Sequence, residues 1–280
     1  MKMLNLGCGA WWHPDWINLD LESHAPEVIS HDLSQGIPFD ADSVDVCYSS
    51  HVLEHLRTNE ADTFLREQYR VLKPGGIIRV VVPDLEQICR LYLSYLDQLK
   101  VGNLEAEFKY DYSLLEMFDQ TTRERSGGQL RSVWNNMSAE DRSHAVARHG
   151  KEVEDALAKV NAASAGSHAS PGAKTRARRP SAGKVLQRGR AALGRAAVRL
   201  LMGKRGTSAF REGMFRSSGE IHRVMYDGFR LRRLLSSVGF KEITVCQAAE
   251  SRIPSFSSYQ LDTVGSSVRK PDSLFMEAVK

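Results

Sequence analysis

Short apolar runs rich in β-branched residues alternate with helical patterns at both ends of the chain. Continuous apolar runs are typical of strands that a parallel sheet covers on both faces, and 76–82 is the clearest example. The segment 43–48 alternates apolar with polar or small residues, which also favours a strand. Strands are predicted over 2–6, 16–20, 27–31, 43–48, 76–82, 240–246 and 273–279.

Apolar positions at helical spacing predict helices over 58–72, from Asp84 to about residue 99, and over 227–238. Thr58, Asp84 and Asp227 are the predicted N-caps, because their side chains can accept hydrogen bonds from first-turn N–H groups. The breaker at 73–76 and Gly239 are the predicted stops. Strands that alternate with helices predict an α/β fold with a parallel core.

The middle of the chain is polar and rich in Ala, Gly, Ser and Arg, unlike the two ends. Within it, 139–160 has loose helical periodicity, 161–183 is typical of a disordered linker, and 184–205 predicts a basic amphipathic helix. We therefore predict an N-terminal core part, a partly disordered insertion and a C-terminal core part, over 1–125, 126–219 and 220–280.

The composition is that of a globular protein, with 280 residues, 42% of them hydrophobic. No run approaches the ~18 apolar residues of a spanning helix, and the first residues lack the apolar centre of a secretory signal. The four cysteines have no CxxC spacing, so neither a zinc site nor a disulfide framework is predicted, and a cytoplasmic location is expected.

The net charge of +4 averages two very different parts of the chain. Residues 171–205 hold 11 of the 38 Lys and Arg residues and no acid, so the rest of the chain has 27 basic residues against 34 acidic ones, a net of −7. Any attraction to a polyanion therefore belongs to this basic arm.

Glycines and acids follow the first three predicted strands in a pattern that suits a nucleoside ligand. Gly7 and Gly9 come directly after the first strand, where glycine lets the backbone approach a ligand closely. Asp20 ends the second strand, where a carboxylate can accept both ribose hydroxyls, and Asp32 follows the third, within reach of an adenine amino group. Taken singly, each acid is explained as well by a solvated strand end.

The spacing disfavours a dinucleotide. That fingerprint needs GxGxxG and an acid about 20 residues later, whereas Trp12 holds the third glycine's place and Asp20 lies 11 residues after Gly9. Little room remains for a helix that could bind pyrophosphate. S-adenosylmethionine, which has no phosphate, remains compatible.

With these motifs the chain resembles the class I S-adenosylmethionine-dependent methyltransferases. The residues that carry the resemblance are Leu4-Asn5-Leu6-Gly7-Cys8-Gly9, Asn18-Leu19-Asp20, His31-Asp32-Leu33, Val52-Leu53-Glu54-His55-Leu56 and Arg70-Val71-Leu72-Lys73-Pro74-Gly75-Gly76. They cover roughly residues 2–84, and they are most similar to a bacterial branch associated with surface-polysaccharide biosynthesis.

The resemblance implies a doubly wound, seven-stranded, mostly parallel sheet of order 3-2-1-4-5-7-6 with strand 7 antiparallel and the insertion after strand 5. It implies that the cofactor lies across the carboxyl ends of the strands. Gly7, Cys8 and Gly9 would contact its amino-acid part, Asp20 and Leu21 the ribose, Asp32 and Leu33 the adenine, and Ser50 and His51 the methyl-donor end.

Two positions depart from the family pattern. The segment 10–15 is too short for the usual first helix. Asn5 stands where the family usually has an acid two residues before the first glycine, although its amide can still hydrogen-bond the cofactor.

Three residues are candidates for catalysis. His51 directly follows the fourth strand and could act as a base or orient the acceptor, or it could bond only to backbone at a helix start. Asp84 follows the fifth strand and could serve the reaction, cap the next helix, or do both. His222 begins the ordered sequence after the insertion, where it could fold over the site or remain on the surface.

Aromatic residues supply further candidates with two interpretations each. Trp11 and Trp12 could meet the sulfonium by a cation–π contact or pack in place of the missing helix. Helically spaced aromatic residues after strand 5 could line the acceptor pocket or form a core: Tyr92, Tyr95, Phe108, Tyr110, Tyr112, Phe118 and Trp134.

We therefore predict methyl transfer from S-adenosylmethionine to a small or saccharide-type acceptor, at a hydroxyl, in envelope or polysaccharide biosynthesis. The alternatives are an RNA or protein methyltransferase guided by the basic arm, or a non-catalytic S-adenosylmethionine-binding or interaction module. The basic arm could be only a solvated linker, or its residues 184–205 could lie on an anionic membrane at its inner face. Nucleic acid is disfavoured because 172–204 has no aromatic residue for base stacking.

Overall fold

A computed structural model of the chain describes residues 1–23, 25–166 and 182–280. The strands are β1 (Met3–Leu6), β2 (Ile17–Asp20), β3 (Val28–Ser30), β4 (Val44–Ser50), β5 (Leu72–Pro83), β6 (Lys241–Cys246), β7 (Thr263–Val264), β8 (Ser267–Val268) and β9 (Ser273–Val279). The helices are α1 (Thr58–Val71), α2 (Leu85–Lys100), α3 (Glu107–Thr122), α4 (Gly128–Asn136), α5 (Ala139–His149), α6 (Lys151–Gly166), α7 (Ala182–Arg216) and α8 (Gly228–Val238).

Seven strands form one mixed sheet in the order β3-β2-β1-β4-β5-β9-β6. Pairing is parallel from β3 to β5, and β9 lies antiparallel between β5 and β6. This confirms the predicted doubly wound sheet, in which β9 is the seventh strand of the order 3-2-1-4-5-7-6. The order reverses direction between β1 and β4, so the carboxyl ends of these two strands form the crevice where such folds bind ligands.

The helix after β4 begins and ends differently from the prediction. Arg57, not Thr58, is the N-cap, and Glu60 accepts a 2.8 Å hydrogen bond from the Arg57 N–H. The predicted breaker at 73–76 lies inside β5, because Leu72 is already extended and pairs with Val44. The pairing then shifts register at a β-bulge, which accommodates the Pro-Gly-Gly sequence within the strand.

Two predicted helix starts and one stop are confirmed. The side chains of Asp84 and Asp227 accept hydrogen bonds from the N–H groups of Gln87 and Arg230 at the starts of α2 and α8. Gly239 follows α8 with a φ of 117°, and the strand after it begins at Lys241.

Apolar side chains on both faces of the sheet form the core. The larger cluster packs α1 and α8 on one face, with Leu65, Leu231 and Leu235 fully buried against the strands. On the other face Arg79 is buried between Asp262 and Glu277, at 2.8 and 2.7 Å. This ion triad ties β5 to β9 and to the segment after β6.

The insertion is more helical than predicted. The periodic stretch 139–160 is divided into α5 and α6 by Gly150, and residues 161–166 belong to α6 rather than to a linker. The prediction for 184–205 agrees with α7, which includes a non-helical Gly203. Residues 167–181, which include most of the predicted linker and the start of the basic arm, lie outside the described residues. In the part of the chain that is described, no helix combines the length and apolar character of a membrane span.

Candidate functional site

A cavity of about 780 Å³ opens at the carboxyl ends of β1 and β4. The loop after β1 lines one side with Asn5, Gly7, Cys8 and Gly9, and Ser50 and His51 line it at the end of β4. Helices of the insertion and the segment before β9 complete the wall. The remaining lining residues are Ala10, Trp11, Tyr48, Arg131, Trp134, Asn135, Lys151, Glu152, Asp155, Ala156, Lys159, Arg269 and Lys270.

The glycine loop is shaped by backbone that other residues rarely adopt. Gly7 and Gly9 have φ values of 69° and 53°, in the left-handed region. A Cβ on Gly7 would lie 2.5 Å from Cγ2 of Val52, whereas a Cβ on Gly9 would meet open space. Gly7 is therefore required for packing, and Gly9 leaves the backbone bare beside the cavity.

Asp20 holds this loop from the end of β2. One carboxylate oxygen accepts a 2.8 Å hydrogen bond from the Gly9 N–H, and the other accepts one from the N–H of Glu22. Burial and the negative charge of Asp20 raise the pKa of the Cys8 thiol to about 11, so this thiol stays neutral. Asp20 thus contacts Gly9, which lines the cavity, but is not itself among the lining residues.

The side chain of Asn5 helps to hold the segment that stands in place of the usual first helix. Its buried amide donates hydrogen bonds of 3.0 Å to the Trp11 carbonyl and to Oδ1 of Asn18. Asn18 in turn donates to the carbonyls of His13 and Trp16. The two amides hold 10–16 as a series of turns, which confirms that no helix lies there. An aspartate at position 5 could not donate these bonds.

The predicted adenine residues lie apart from the lining of the cavity. Asp32 caps a short 3-10 turn by accepting a 2.9 Å hydrogen bond from the Ser34 N–H, and the hydrogen bonds from Ser34 hold the pKa of this exposed carboxyl below its usual value. Leu33 packs against the larger core cluster, and Leu21 is exposed. Their cofactor roles stay predictions.

Arg269 is a site residue that the sequence reasoning missed. Its guanidinium donates a 3.0 Å hydrogen bond to the Ser50 hydroxyl and one to the Leu261 carbonyl. It also stacks over the Trp11 ring at 4.9 Å from the centroid, so Trp11 meets a cation of the chain itself. Arg269 is only 6% exposed yet lines the cavity. No local motif marks it, because it lies far from the glycine loop in sequence.

His51 is the predicted catalytic residue that reaches the cavity. Its φ of 55° turns the chain sharply at the end of β4. Nε2 lies 2.9 Å from the Ser273 hydroxyl and Nδ1 lies 3.1 Å from Oε1 of Glu54. Burial first, and then the positive charges of Lys270 and Arg269, hold the imidazole pKa well below its usual value.

The other two catalytic candidates lie away from the lining. Asp84 caps α2, and burial raises the pKa of its carboxyl. His222 is 5% exposed and lies behind His51, with Nε2 4.0 Å from Oε1 of Glu54 and its ring 4.8 Å from that of His55. Burial lowers the His222 pKa well below its usual value and raises that of Glu54 to about 8. The catalytic roles of Asp84 and His222 stay predictions.

The insertion supplies a polar and charged wall, and the segment before β9 adds two cations to it. Of the predicted aromatic pocket residues, Trp134 lines the cavity, and its indole N–H donates a 2.9 Å hydrogen bond to the Tyr112 hydroxyl. Tyr112 is buried in a separate core cluster that α3 forms with helices of the insertion, whereas Phe118 is exposed. The ionic lining residues are Arg131, Lys151, Lys159, Arg269 and Lys270 against Glu152 and Asp155.

Residues 4–80 match the family model described as a methyltransferase domain. Over these residues the chain is similar to a methyltransferase domain. The match spans the glycine loop, Asp20 and the turn at His51, and it agrees with the resemblance to methyltransferases predicted from the motifs. The polysaccharide-associated branch stays a prediction.

Solved structures of similar proteins were also found. A 1,6-didemethyltoxoflavin-N1-methyltransferase from Burkholderia thailandensis, solved with its acceptor and S-adenosylhomocysteine, is 17% identical over 30% of this chain and 45% of its own, with a TM-score of 0.26. An S-adenosylmethionine-dependent methyltransferase from Mesorhizobium loti is 23% identical over 30% and 47%, with a TM-score of 0.25. One from Archaeoglobus fulgidus is 10% identical over 100% and 86%, with a TM-score of 0.38. This chain thus spans less than half of the first two proteins. Curated proteins gave no match.

S-adenosylmethionine is the cofactor predicted from the motifs, and the residues present fit it. The cavity is within the range of about 300–1,000 Å³ that small-molecule and cofactor sites occupy. Gly9 leaves open space where any side chain would intrude, and Asp20 braces the Gly9 N–H.

Proposed function

We propose that this chain catalyses methyl transfer from S-adenosylmethionine to a hydroxyl of a small or saccharide-type acceptor in envelope or polysaccharide biosynthesis. The observation that carries the proposal is the continuity of the cavity. One space extends from the glycine loop past Ser50 and His51 to the polar wall of the insertion. A cofactor and an acceptor can therefore share it, as a direct transfer between them requires.

The cofactor end of the cavity is assigned to the loop after β1. Gly7, Cys8 and Gly9 offer bare backbone to the amino-acid part, and Asn5 can accept a hydrogen bond from its ammonium. Arg269, a cation that the cavity exposes without a carboxylate partner among the described residues, suits its carboxylate. For the ribose and adenine we retain Asp20 with Leu21 and Asp32 with Leu33, at the ends of β2 and β3.

When bound, S-adenosylmethionine supplies a methyl group already activated by its sulfonium, so the chain's own task is to position the acceptor and exclude water. His51 is suited to orienting the acceptor, because Ser273 and Glu54 fix both sides of its ring at the cavity. Asp84 and His222 would then support this end of the sheet from outside the cavity.

The polarity of the far wall supports a hydroxyl-rich acceptor. Asn135, Lys151, Glu152 and Asp155 present donors and acceptors on helices α4 and α6. Such side chains can form hydrogen bonds to the hydroxyl groups of a sugar, and the surplus of cations also suits an acceptor that carries a phosphate.

The direct test follows a labelled methyl group. The full chain is incubated with methyl-labelled S-adenosylmethionine and a panel of nucleotide-linked and lipid-linked sugars, and label in the sugar is measured by mass. We expect label on a hydroxyl with the wild type, and at least tenfold less with His51→Ala while S-adenosylmethionine still binds. His144→Gln, a change outside the cavity, is the matched control. Binding of S-adenosylmethionine without label in any sugar would contradict the acceptor class, and no transfer even to an envelope extract would favour the non-catalytic alternative.

We further propose that α7 rests on an anionic membrane. Leu193, Leu200, Leu201 and Met202 are between 69% and 85% exposed, beside the basic Arg199 and Lys204. Apolar side chains next to cations are typical of helices that lie in a charged lipid interface.

Flotation with vesicles tests this contact. The wild type is expected to float with phosphatidylglycerol vesicles and to stay behind with phosphatidylcholine alone, and Leu200→Asp with Leu201→Asp should abolish flotation. Leu104→Asp, at another exposed leucine, is the control and should float. Equal flotation of all three, or none for the wild type, would reject the membrane contact.

A further inference from the structure

Two segments that are distant in sequence bring a carboxylate and two imidazoles together behind His51. Glu54 and His55 lie in the 3-10 turn Leu53–His55 after β4. His222 belongs to the chain that returns from the insertion, where the N–H groups of Arg223 and Val224 donate to the Glu54 carbonyl at 2.7 and 3.2 Å. The backbone thus holds the three side chains in one place independently of their own contacts.

The three side chains have the spacing of a ligand set. Oε1 of Glu54 lies 3.9 Å from Nε2 of His55 and 4.0 Å from Nε2 of His222. One ligand atom from each residue can be chosen so that all lie within 4.8 Å of one another. Ligands about 2.1 Å from a tetrahedral zinc ion are about 3.4 Å apart, so the two distances to Glu54 would shorten by about 0.5–0.6 Å and the third by at most about 1.4 Å.

The only ion-pair contacts of Glu54 in the described part of the chain are to imidazoles, of which Nδ1 of His51, at 3.1 Å, is the nearest. Its side chain is 0% exposed, and neither carboxylate oxygen accepts a hydrogen bond within the described part of the chain. Nδ1 of His55 is likewise buried without a partner. Buried polar groups are nearly always hydrogen-bonded, paired with charge, or coordinated to a metal. Among the described residues, Glu54 has no lysine or arginine in ion-pair contact, only histidines.

We propose that Glu54, His55 and His222 bind a divalent transition-metal ion of the zinc type. Two imidazoles and one carboxylate form a donor set that suits zinc and related first-row ions. The ion supplies the positive charge that Glu54, which contacts imidazoles but no lysine or arginine among the described residues, lacks.

A metal ion at this site would help to fix the position of His51. His51 contacts Glu54 through Nδ1 at 3.1 Å, so the ligand carboxylate also orients the imidazole that faces the cavity. Outer partners of metal ligands commonly fix ring orientation in this way. The ion would therefore fasten the chain returning from the insertion to the turn after β4, and so hold His51. This inference does not depend on methyl transfer.

Metal content and stability test the site without any activity assay. The untagged full chain is treated with a chelator, exchanged into metal-free buffer, loaded with Zn²⁺ and desalted, and bound zinc is measured by mass spectrometry. We expect about one zinc per chain for the wild type and a higher midpoint of thermal unfolding than in the chelated protein. Glu54→Gln and His222→Gln should each lose the zinc and the rise in midpoint.

His144→Gln is the matched control, because His144 has a buried, unpartnered Nε2 outside the cluster. It should retain zinc. Retention of zinc by Glu54→Gln and His222→Gln equal to that of the wild type would overturn the site. Should these variants fail to fold, the wild type is loaded with Co²⁺ and its visible absorption is recorded. Tetrahedral nitrogen and oxygen ligation gives intense bands and supports the site, whereas the spectrum of aqueous Co²⁺ overturns it.

Discussion

Oδ2 of Asp20 accepts a 2.8 Å hydrogen bond from the backbone N–H of Gly9. The bond joins the end of β2 to the glycine loop after β1. One carboxylate therefore shapes the loop and stands at the position where the family resemblance assigns a ribose contact.

Changing Asp20 is expected to weaken S-adenosylmethionine binding in two steps. Asp20→Asn keeps an acceptor for Gly9 but loses the charge, and Asp20→Ala loses both. Hydrogen bonds to charged groups contribute about 1.5–3 kcal/mol, so Asp20→Ala should raise the Kd by about 10- to 100-fold, with Asp20→Asn between it and the wild type. Calorimetry measures the three Kd values. Asp40→Asn, an exposed acid away from the cavity, should bind like the wild type. An unchanged Kd for Asp20→Ala would refute this role.

Changing Gly7 or Gly9 to alanine should affect different properties of the chain, stability in the first case and S-adenosylmethionine binding in the second. Both substitutions force a residue into left-handed backbone, at a cost of about 1–2 kcal/mol. Gly7→Ala also drives its Cβ against Val52 and should lower the free energy of unfolding further. Gly9→Ala meets no protein atom, so its additional effect should be at least tenfold weaker S-adenosylmethionine binding.

Gly219→Ala is the control for Gly9→Ala. Gly219 has a φ of 86° and open space at its Cβ, but it lies away from the cavity. Denaturant unfolding and calorimetry of the three variants should show similar stability for Gly9→Ala and Gly219→Ala, with a loss of binding confined to Gly9→Ala. Equal binding by these two variants would show that the cofactor does not approach Gly9.

Asn5→Asp restores the residue that the family usually has, yet it should destabilise this chain. The aspartate cannot donate to the Trp11 carbonyl or to Asn18, and it would place a charge at a position 1% exposed. We expect a loss of about 3 kcal/mol of unfolding free energy by denaturant titration. Asn136→Asp, on an exposed position, should change it by less than about 0.5 kcal/mol. A variant at position 5 as stable as the wild type would refute the role of the amide in holding 10–16.

The contact between His149 in the insertion and Asp272 before β9 should depend on pH. Burial alone would lower its pKa, but the hydrogen bond and charge of Asp272, with the charges of Glu116 and Glu152, raise the pKa above its usual value. Arg148, which pairs with Glu116, His144, and Tyr112, whose ring centroid lies 5.6 Å from that of His149, are further charged or titratable groups near it. A raised pKa means that protonated His149 stabilises the fold, fully below the unfolded imidazole pKa of about 6.5 and decreasingly as pH rises through the folded value.

Thermal unfolding from pH 5.5 to 9 tests this link. The midpoint of the wild type should exceed that of His149→Gln most at low pH, and the difference should shrink as pH rises. A difference that is constant, or that grows with pH, would contradict the assignment of charge to His149.

The sheet could be predicted from sequence because each core strand is a local pattern. Runs such as 76–82 need only their own residues to be recognised, and the Asp84 and Asp227 caps are equally local. The residues that line the cavity could be predicted only in part. Gly7, Gly9 and His51 lie in motifs, whereas Arg269 reaches Ser50 from a segment without any local signal.

The errors have physical causes that lie outside the local sequence. Leu72 continues as strand because β4 offers it a partner, so the Pro-Gly-Gly sequence became a bulge instead of a break. The Glu54, His55 and His222 cluster could not be predicted, because only the fold brings the chain after the insertion to the turn after β4. The two hydrogen bonds that the Asn5 amide donates could not be predicted either, because they depend on the path of the backbone over 10–16.

Calorimetric titration of the full wild-type chain with S-adenosylmethionine, S-adenosylhomocysteine and NAD⁺ tests the central claim most directly. The cavity beside Gly9 and the absence of a helix in 10–16 predict binding of the first two at about one per chain and no binding of NAD⁺. No heat from S-adenosylmethionine or S-adenosylhomocysteine, or binding of NAD⁺ as tight as theirs, would contradict it.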